Sequence, residues 1–259
     1  MVENIINDAR KIKEIEWVYF EGGEPFLYYP IMICGVKIAK DYGFNVGIVT
    51  NGYWAVTVDD AVNILEPLSK LEISELSLSS DKYHGLGVEA DRVKNGMIAA
   101  RRLRIKSTVL SVDECPLKLI NLPHYVTKLM YRGRAAVKLT SKAHKKAWYE
   151  YVECPYEDLE NPERVHVDPY GYVHVCQGIT IGNIFTKPIH EIIKNYNPRR
   201  HPIVAPLIKG GPVELARKYN VKCEGYYADA CHLCYNIRCN IRKKYPKILA
   251  PNIVYGEHV

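Results

Sequence analysis

Short apolar runs recur along the first half of the chain at intervals of roughly 30 residues, the length of one strand–helix–strand unit. They are rich in β-branched and aromatic residues, which favours buried or half-buried strands. The runs cover residues 16–20, 44–49, 73–78 and 105–110. Helix-like stretches lie between and after them, at 29–42, 58–71 and 88–103. A further strand is predicted at 126–131.

Alternating strands and helices predict an α/β fold in which parallel strands are joined by right-handed crossovers. Periodicity alone leaves two arrangements open, a doubly wound sheet and an open or closed barrel. In either fold, ligands bind at the carboxyl ends of the strands. The loops that follow the strands are therefore the candidate site.

Three of those loops have an unusual composition. Residues 21–25 read Glu-Gly-Gly-Glu-Pro, residues 50–54 read Thr-Asn-Gly-Tyr-Trp, and residues 79–85 read Ser-Ser-Asp-Lys-Tyr-His-Gly. Adjacent glycines let the backbone approach a ligand closely, and a neighbouring carboxylate can hold an ammonium group. Each loop by itself is also compatible with an ordinary strand-to-helix turn or helix cap.

The second half of the chain is rich in cysteine. Six of the eight cysteines follow residue 150, whereas Cys34 and Cys115 are isolated. The first residues lack the pattern of a secretory signal, so we expect a cytoplasmic protein. Clustered cysteines in that reducing compartment indicate metal binding or catalysis rather than disulfides. Cys34 lies in an apolar run and is expected to be a buried, inert thiol.

The C-terminal cysteines have metal-ligand spacing. Cys231 and Cys234 form a Cys-x-x-Cys pair, Cys239 lies five residues further on, and Cys154 and Cys176 lie upstream. Four thiolates can close a tetrahedral zinc site or hold a 4Fe-4S cluster, and spacing alone does not decide between them. Unliganded thiols are the third alternative.

The strand–helix rhythm stops near Ser141, so the sequence predicts one domain at 1–140 and a second at 141–259. In the second domain, alternating residues on both sides of a Pro-Tyr-Gly turn predict a β-hairpin of residues 164–168 with 172–176.

Beyond the hairpin, a helix is expected at 189–195, directly after a proline. The proline- and glycine-rich stretch 198–212 predicts an extended connection to a helix at 213–219. A basic helix should follow the last cysteines. The second domain is thus expected to be small, cysteine-rich and α+β.

The string at 18–30, Val-Tyr-Phe-Glu-Gly-Gly-Glu-Pro-Phe-Leu-Tyr-Tyr-Pro, is similar to the "GGEP" motif of radical S-adenosylmethionine (SAM) enzymes. In that family the motif binds the amino group of the methionine portion of SAM. Thr50-Asn51-Gly52 resembles the family's "TNG", and Ser79-Ser80-Asp81 resembles its Ser-x-Asp strand end, which contacts the SAM ribose. The resemblance implies SAM contacts at Gly22, Gly23, Glu24, Pro25, Thr50, Asn51, Ser79 and Asp81.

The same resemblance implies a partial (βα)6-type radical SAM barrel that lacks its first strand. The Cys-x3-Cys-x2-Cys loop that holds the family's catalytic 4Fe-4S cluster follows that first strand, and this spacing occurs nowhere in the sequence. The expectation is a fragment, a mis-started reading frame, or a degenerate protein without the catalytic cluster. SAM and an auxiliary 4Fe-4S cluster are the implied cofactors, with the catalytic cluster only in a complete chain.

The second domain resembles the SPASM and "twitch" auxiliary-cluster domains that follow radical SAM barrels. The shared features are a first cysteine, a Gly-x4-Cys on a hairpin, a Gly-Asn-Ile segment at 182–184 and a Cys-x-x-Cys pair. The pattern departs from the two-cluster SPASM type after Cys234, which favours one cluster. The implied ligands are Cys154, Cys176, Cys231 and Cys234, with Cys223 and Cys239 in reserve.

The resemblance implies a radical SAM oxidoreductase whose complete form generates a 5′-deoxyadenosyl radical and abstracts a substrate hydrogen. The implied partners are a small-molecule or peptide substrate and an electron donor. His84 follows the Ser-x-Asp loop and is a candidate general acid or base, or alternatively a loop cap. This chain by itself is expected to be inactive. The alternative is a non-catalytic iron–sulfur or zinc-binding module that has lost SAM cleavage.

The net charge of +6 is mild, and basic residues concentrate at 132–146 and 238–247. Solvated helix faces are the favoured interpretation of both segments, over a site for an acidic partner. Aromatic residues are not interleaved there as in nucleic-acid readers, so no nucleic-acid partner is expected. No apolar run reaches 18 residues, so no membrane span is expected either.

Overall fold

The computed structural model describes residues 1–81, 83 and 90–256. The chain divides into two compact units, Met1–Leu129 and Met130–Val259. Residues 130–140, which the sequence assigned to the first domain, belong to the second unit. Within the part of the chain that the structure describes, no helix is long and apolar enough to cross a membrane.

The first unit is built on five parallel strands whose spatial order follows the sequence. They are β1 (Trp17–Phe20), β2 (Asn45–Thr50), β3 (Glu75–Ser79), β4 (Ser107–Val112) and β5 (His124–Thr127). The α/β prediction is confirmed. Among the described residues, β1 pairs only with β2 and β5 only with β4, so the sheet has two edges.

Three helices connect these strands at the expected places, and they are α2 (Tyr29–Asp41), α3 (Val58–Lys70) and α4 (Ala90–Arg102). A further helix, α1 (Val2–Ala9), precedes β1. α3 begins where it does because Thr57 Oγ1 accepts the backbone N–H of Asp60 at 3.1 Å. Asp59 and Asp60 in the first turn complement the positive end of the helix dipole.

The core of the first unit lies against the central strands. Val46, Ile48, Leu76 and Leu78 are fully buried there. Burying each such side chain stabilises the fold by about 1.5–3 kcal/mol, so the strand ends have a rigid support.

Cys34 lies on the outer surface of α2 and is exposed. The expectation of a buried core thiol is therefore wrong. The apolar run around Cys34 forms a helix, and a helix buries only one face. On α2 that face carries Met32 and Val36.

The second unit combines small antiparallel sheets with helices, as the α+β prediction requires. Its strands are β6 (Lys146–Ala147), β7 (His166–Val167), β8 (Tyr172–Cys176), β9 (Ile179–Asn183) and β10 (Tyr226–Tyr227). Its helices are α5 (Arg134–Lys138), α6 (Ile189–Lys194), α7 (Val204–Tyr219) and α8 (Ala230–Ile241). The predicted hairpin is formed by β7 and β8, and β9 adds a third strand to it.

The extended connection expected at 198–212 is wrong in its second half, because α7 already begins at Val204. The helix bends at Gly210 and Gly211, and the missing N–H of Pro212 falls just after the bend. Gly211 has φ +60°, and a Cβ there would lie 2.3 Å from the backbone N of Glu153. The proline and glycine pattern therefore marks a kinked, closely packed helix.

Candidate functional site

The predicted SAM-binding residues lie at one edge of the five-stranded sheet. β1, β2 and β3 are parallel neighbours, so their carboxyl ends and the loops that follow them share that edge. The structure places there Gly22, Gly23, Glu24, Pro25, Thr50, Asn51, Ser79 and Asp81. No ligand in the structure tests their role as SAM contacts, which stays a prediction.

Glu24 links two of these loops. Its side chain is buried, and Oε1 accepts hydrogen bonds from the Phe26 backbone N–H at 3.1 Å and from Thr50 Oγ1 at 2.7 Å. Its other oxygen, Oε2, accepts the Asn51 backbone N–H at 2.7 Å. Three of about four acceptor positions of the carboxylate are thereby used inside the protein. Glu24 is thus a positioning residue for both loops.

Thr50 extends the same network. Its Oγ1 accepts the backbone N–H of Gly52 at 3.1 Å and the indole N–H of Trp54 at 3.0 Å, while its own proton goes to Glu24. The Trp54 ring stacks on Phe26 with centroids 4.6 Å apart. Since Phe26 follows β1 and Trp54 follows β2, apolar packing and hydrogen bonds hold the same two loops together.

The two glycines leave open space beside this network. Gly22 has φ +79° and Gly23 has φ +55°, conformations that residues with a Cβ rarely adopt. A Cβ built at either position would meet no protein atom within 4 Å. The glycines therefore serve the loop's backbone path and leave its surface free for a ligand. Pro25 then begins a short 3-10 helix, Pro25–Tyr28.

Asp81 ties the loop after β3 to β4. Its Oδ1 accepts the backbone N–H of Tyr83 at 2.8 Å, and its Oδ2 accepts the backbone N–H of Val112 at 3.2 Å. Ser79, the last residue of β3, is buried. His84, the candidate acid or base, lies outside the described residues.

The four predicted cluster ligands come from three elements of the second unit. Cys231 and Cys234 lie in the first turns of α8, Cys176 ends β8, and Cys154 lies between β6 and β7. Asp229 caps α8, since its Oδ1 accepts the His232 backbone N–H at 2.7 Å. Cys176 and Cys234 are buried, and the other two thiols are half-buried.

These thiols influence one another electrostatically. Burial raises the pKa of Cys154 to about 12, with further contributions from Cys176 and Cys234. Burial is also the largest cause of the raised pKa of Cys231. Asp229, Cys176 and Cys234 raise this pKa further. The four side chains therefore form one neighbourhood, although no group of three or more His, Cys, Asp or Glu among the described residues is arranged to hold a metal ion.

The fit to a thiolate-bound centre rests on the chemistry of the donor set, since four thiolates are the ligands of such a centre. Of the reserve residues, Cys239 is exposed and Cys223 is half-buried. Besides burial, the thiols that raise the pKa of Cys154 and Cys231 are instead those of Cys176 and Cys234.

Two arginines beside the thiols were missed from the sequence. Arg132 Nη1 lies 3.8 Å from Cys176 Sγ and 2.8 Å from Glu157 Oε1. Arg238 is 2% exposed. The interpretation of segments 132–146 and 238–247 as solvated helix faces is wrong for both residues. The available signal was spacing, because Arg238 follows Cys234 by one helical turn.

No protein-family model matches the chain. The curated protein YydG of Bacillus subtilis (strain 168), a putative peptide biosynthesis protein, is 26% identical over 101 residues. The match covers 39% of this chain and 32% of YydG, so it spans about a third of that relative's length. In addition to this match, the chain has three loop motifs, and the fold places them at the ends of neighbouring strands. The match to YydG supports the resemblance of these motifs to those of radical SAM enzymes.

A solved structure similar to this chain is the crystal structure of BtrN in complex with AdoMet and 2-DOIA. The two share 18% sequence identity with a TM-score of 0.49, over 81% of this chain and 73% of BtrN.

Proposed function

We propose that this radical SAM chain binds SAM at the carboxyl edge of its parallel sheet and one auxiliary 4Fe-4S cluster in its second unit. The observation that carries the proposal is the neighbourhood of Cys154, Cys176, Cys231 and Cys234, which were selected from sequence and interact electrostatically in the fold. The complete enzyme would be an oxidoreductase that abstracts a hydrogen atom from its substrate.

The first unit would bind SAM through its loop backbones. The open surface of Gly22 and Gly23 is where the backbone can approach the methionine portion of SAM. Glu24 would hold this loop against Asn51 and add negative charge near the SAM ammonium group. Asp81 would supply a carboxylate for the ribose.

The auxiliary cluster would supply one-electron redox chemistry when bound. Cys154, Cys176, Cys231 and Cys234 would hold it as thiolates. Burial keeps thiols such as Cys154 protonated in the metal-free protein, so loading must release protons. Cluster assembly should therefore be favoured by raised pH.

The substrate we propose is a peptide. The support is the name of YydG, a putative peptide biosynthesis protein, with which the chain shares 26% identity over 101 residues. His84 is proposed as a general acid or base for that substrate. A low-potential one-electron donor is the second partner.

The alternative function is a non-catalytic zinc module. The same four cysteines favour a zinc site, since four thiolates also complete the tetrahedral coordination of zinc. Anaerobic purification and reconstitution separate the two. The proposal predicts brown protein with broad absorption at about 400 nm and about four irons per chain. Colourless protein with stoichiometric zinc would overturn it.

A double variant identifies the ligands. Replacing Cys231 and Cys234 with serine should abolish iron binding, because two of four thiolates are lost. The matched control is Cys34→Ser combined with Cys239→Ser, which also removes two thiols, both exposed. The control should retain its iron. Equal iron content in the two double variants would show that the ligand set is wrong.

A further inference from the structure

Arg238 is a buried cation with an incomplete set of partners. Its side chain projects from α8, and its Nη1 donates to the carbonyl oxygen of Gln177 at 2.7 Å and to Tyr255 Oη at 3.0 Å. Its Nε is buried and has no hydrogen-bond partner. A buried donor left unpaired is destabilising, and more so when it belongs to a charged group.

Among the residues that the structure describes, no carboxylate forms a salt bridge with Arg238. Its electrostatic neighbours are Tyr255 and the thiols of Cys234, Cys176 and Cys231. It lies one helical turn after Cys234 on α8, and the Gln177 carbonyl that it binds directly follows Cys176 in the chain. An isolated buried charge is strongly destabilising, so a charged group in such a place implies a counter-charge nearby.

Arg132 approaches the same thiols from another element. Its Nη1 is within 3.8 Å of Cys176 Sγ, and its side chain is 20% exposed. Unlike Arg238, it is already paired with a carboxylate, that of Glu157. Two guanidinium groups thus flank one set of four cysteines. Arg238 is the more deeply buried of the two, and among the described residues it forms no salt bridge with a carboxylate.

We propose that Arg238 is the charge partner of a thiolate-bound iron–sulfur cluster and raises its reduction potential, with Arg132 as a weaker second partner. The inference rests on the proposed function, since it assigns a role toward the auxiliary cluster. Four thiolates give such a cluster net negative charge, which the buried guanidinium neutralises. Arginine is suited to the position because it stays charged when buried and presents its donors in a fixed geometry.

The direction of the effect follows from electrostatics. One-electron reduction adds a negative charge to the cluster, and a nearby fixed cation stabilises the reduced state more than the oxidised state. Removing the cation should make reduction harder. The effect should be larger for Arg238 than for Arg132, because solvent and Glu157 screen Arg132.

The experiment is a redox titration of the reconstituted full chain, followed by visible absorption and electron paramagnetic resonance. Arg238→Met should lower the equilibrium constant for cluster reduction about tenfold or more, a shift of about 59 mV to more negative potential. Arg238→Lys preserves the positive charge and should restore most of the wild-type reduction potential. Arg217→Met, which removes an exposed arginine from the same unit, is the control and should leave the potential unchanged.

A purely structural role of Arg238 predicts a different change in thermal stability. In that case Arg238→Met would lower thermal stability equally in iron-loaded and iron-free protein. Charge pairing predicts a larger loss in the loaded form, because only that form contains the counter-charge. If Arg238→Met does not fold, Arg132→Gln provides the same comparison, with a smaller negative shift expected.

The outcomes separate the two proposals. A wild-type cluster with an unchanged potential in both arginine variants would overturn the role of Arg238 and leave the auxiliary cluster intact. Zinc in place of iron in the wild type would overturn the proposed function, and a redox role for Arg238 with it.

Discussion

Glu24 Oε2 accepts a 2.7 Å hydrogen bond from the backbone N–H of Asn51, which joins the loop after β1 to the loop after β2. The bond spans 27 positions of sequence, so it exists only when the two parallel strands are side by side. The arrangement at the sheet edge therefore depends on one carboxylate. It suggests substitutions that distinguish support of the loops from contact with SAM.

Glu24→Gln should destabilise the first unit and weaken SAM binding. The glutamine amide has only one acceptor oxygen. Its NH2 group would therefore face a donor whose hydrogen bond the carboxylate accepts in the wild type. Hydrogen bonds to a charged group are worth about 1.5–3 kcal/mol each, and at least one would be lost. Thermal denaturation and isothermal titration with SAM measure the two effects. Glu66→Gln on the exposed face of α3 is the control, and equal values for both variants would contradict the role of Glu24.

Thr50→Val tests how much the hydroxyl group of Thr50 contributes to the stability of the first unit. Valine keeps the shape but removes the acceptor for the indole N–H of Trp54 and the donor to Glu24. A buried donor without a partner costs about 1–3 kcal/mol. We expect lower stability and altered Trp54 fluorescence, whereas Thr50→Ser should resemble the wild type. Identical behaviour of the valine and serine variants would show that the hydrogen bonds are unimportant.

Gly23→Ala should affect SAM binding more than stability. The left-handed backbone at φ +55° adds about 1–2 kcal/mol of strain for alanine, but the new methyl group meets no protein atom within 4 Å. A bound ligand would meet it directly. Gly43→Ala is a matched control, since Gly43 has φ +85° and is equally uncrowded, but lies before β2. Equal loss of SAM affinity in the two variants would contradict a ligand surface at Gly23.

The second unit should lose stability in mild acid because of His201. Its Nδ1 accepts the backbone N–H groups of Ile203 and Val204 at 3.3 and 3.1 Å, and its Nε2 lies 3.0 Å from the Thr180 carbonyl oxygen. These contacts require the neutral ring, and burial lowers the pKa of His201 below its ordinary value of 6.5.

The sign follows from proton linkage. The unfolded chain binds a proton at His201 more readily than the folded chain, so the stabilisation is present above about pH 6.5 and is lost as pH falls through the folded pKa. Urea unfolding of the metal-free protein between pH 7 and pH 5 measures the loss. His201→Gln removes the titrating group and should flatten that dependence. An unchanged slope in the variant would assign the effect to other groups.

The 259-residue chain by itself should form no 5′-deoxyadenosine from SAM and dithionite. It contains no Cys-x3-Cys-x2-Cys, and the four cysteines of the second unit are enough to close their own cluster. Chromatographic analysis of the anaerobic reaction tests this expectation, with free dithionite and SAM as the blank. About eight irons per chain together with 5′-deoxyadenosine would contradict it.

The sequence by itself determined the features that depend on local pattern. Short β-branched and aromatic runs at intervals of roughly 30 residues predicted five parallel strands, and the helix-like stretch predicted at 58–71 corresponds to α3. The resemblance of the cysteine pattern implied four ligands, whose role stays a prediction, and in the fold burial, Cys176 and Cys234 raise the pKa of both Cys154 and Cys231. Such predictions succeed because strand and helix periods, caps and short motifs are set within a few residues.

The tertiary structure decided whatever depends on contacts between distant residues. Proline and glycine between 198 and 212 predicted an extended chain, but packing against residues 151–153 accommodates a kinked helix there. Cys34 is exposed because α2 turns another face to the sheet. Glu24 binds Thr50 and Asn51, and Arg238 is buried among cysteines, because strands and helices far apart in sequence meet. Burial and charge pairing are properties of that assembled environment, and no local pattern encodes them.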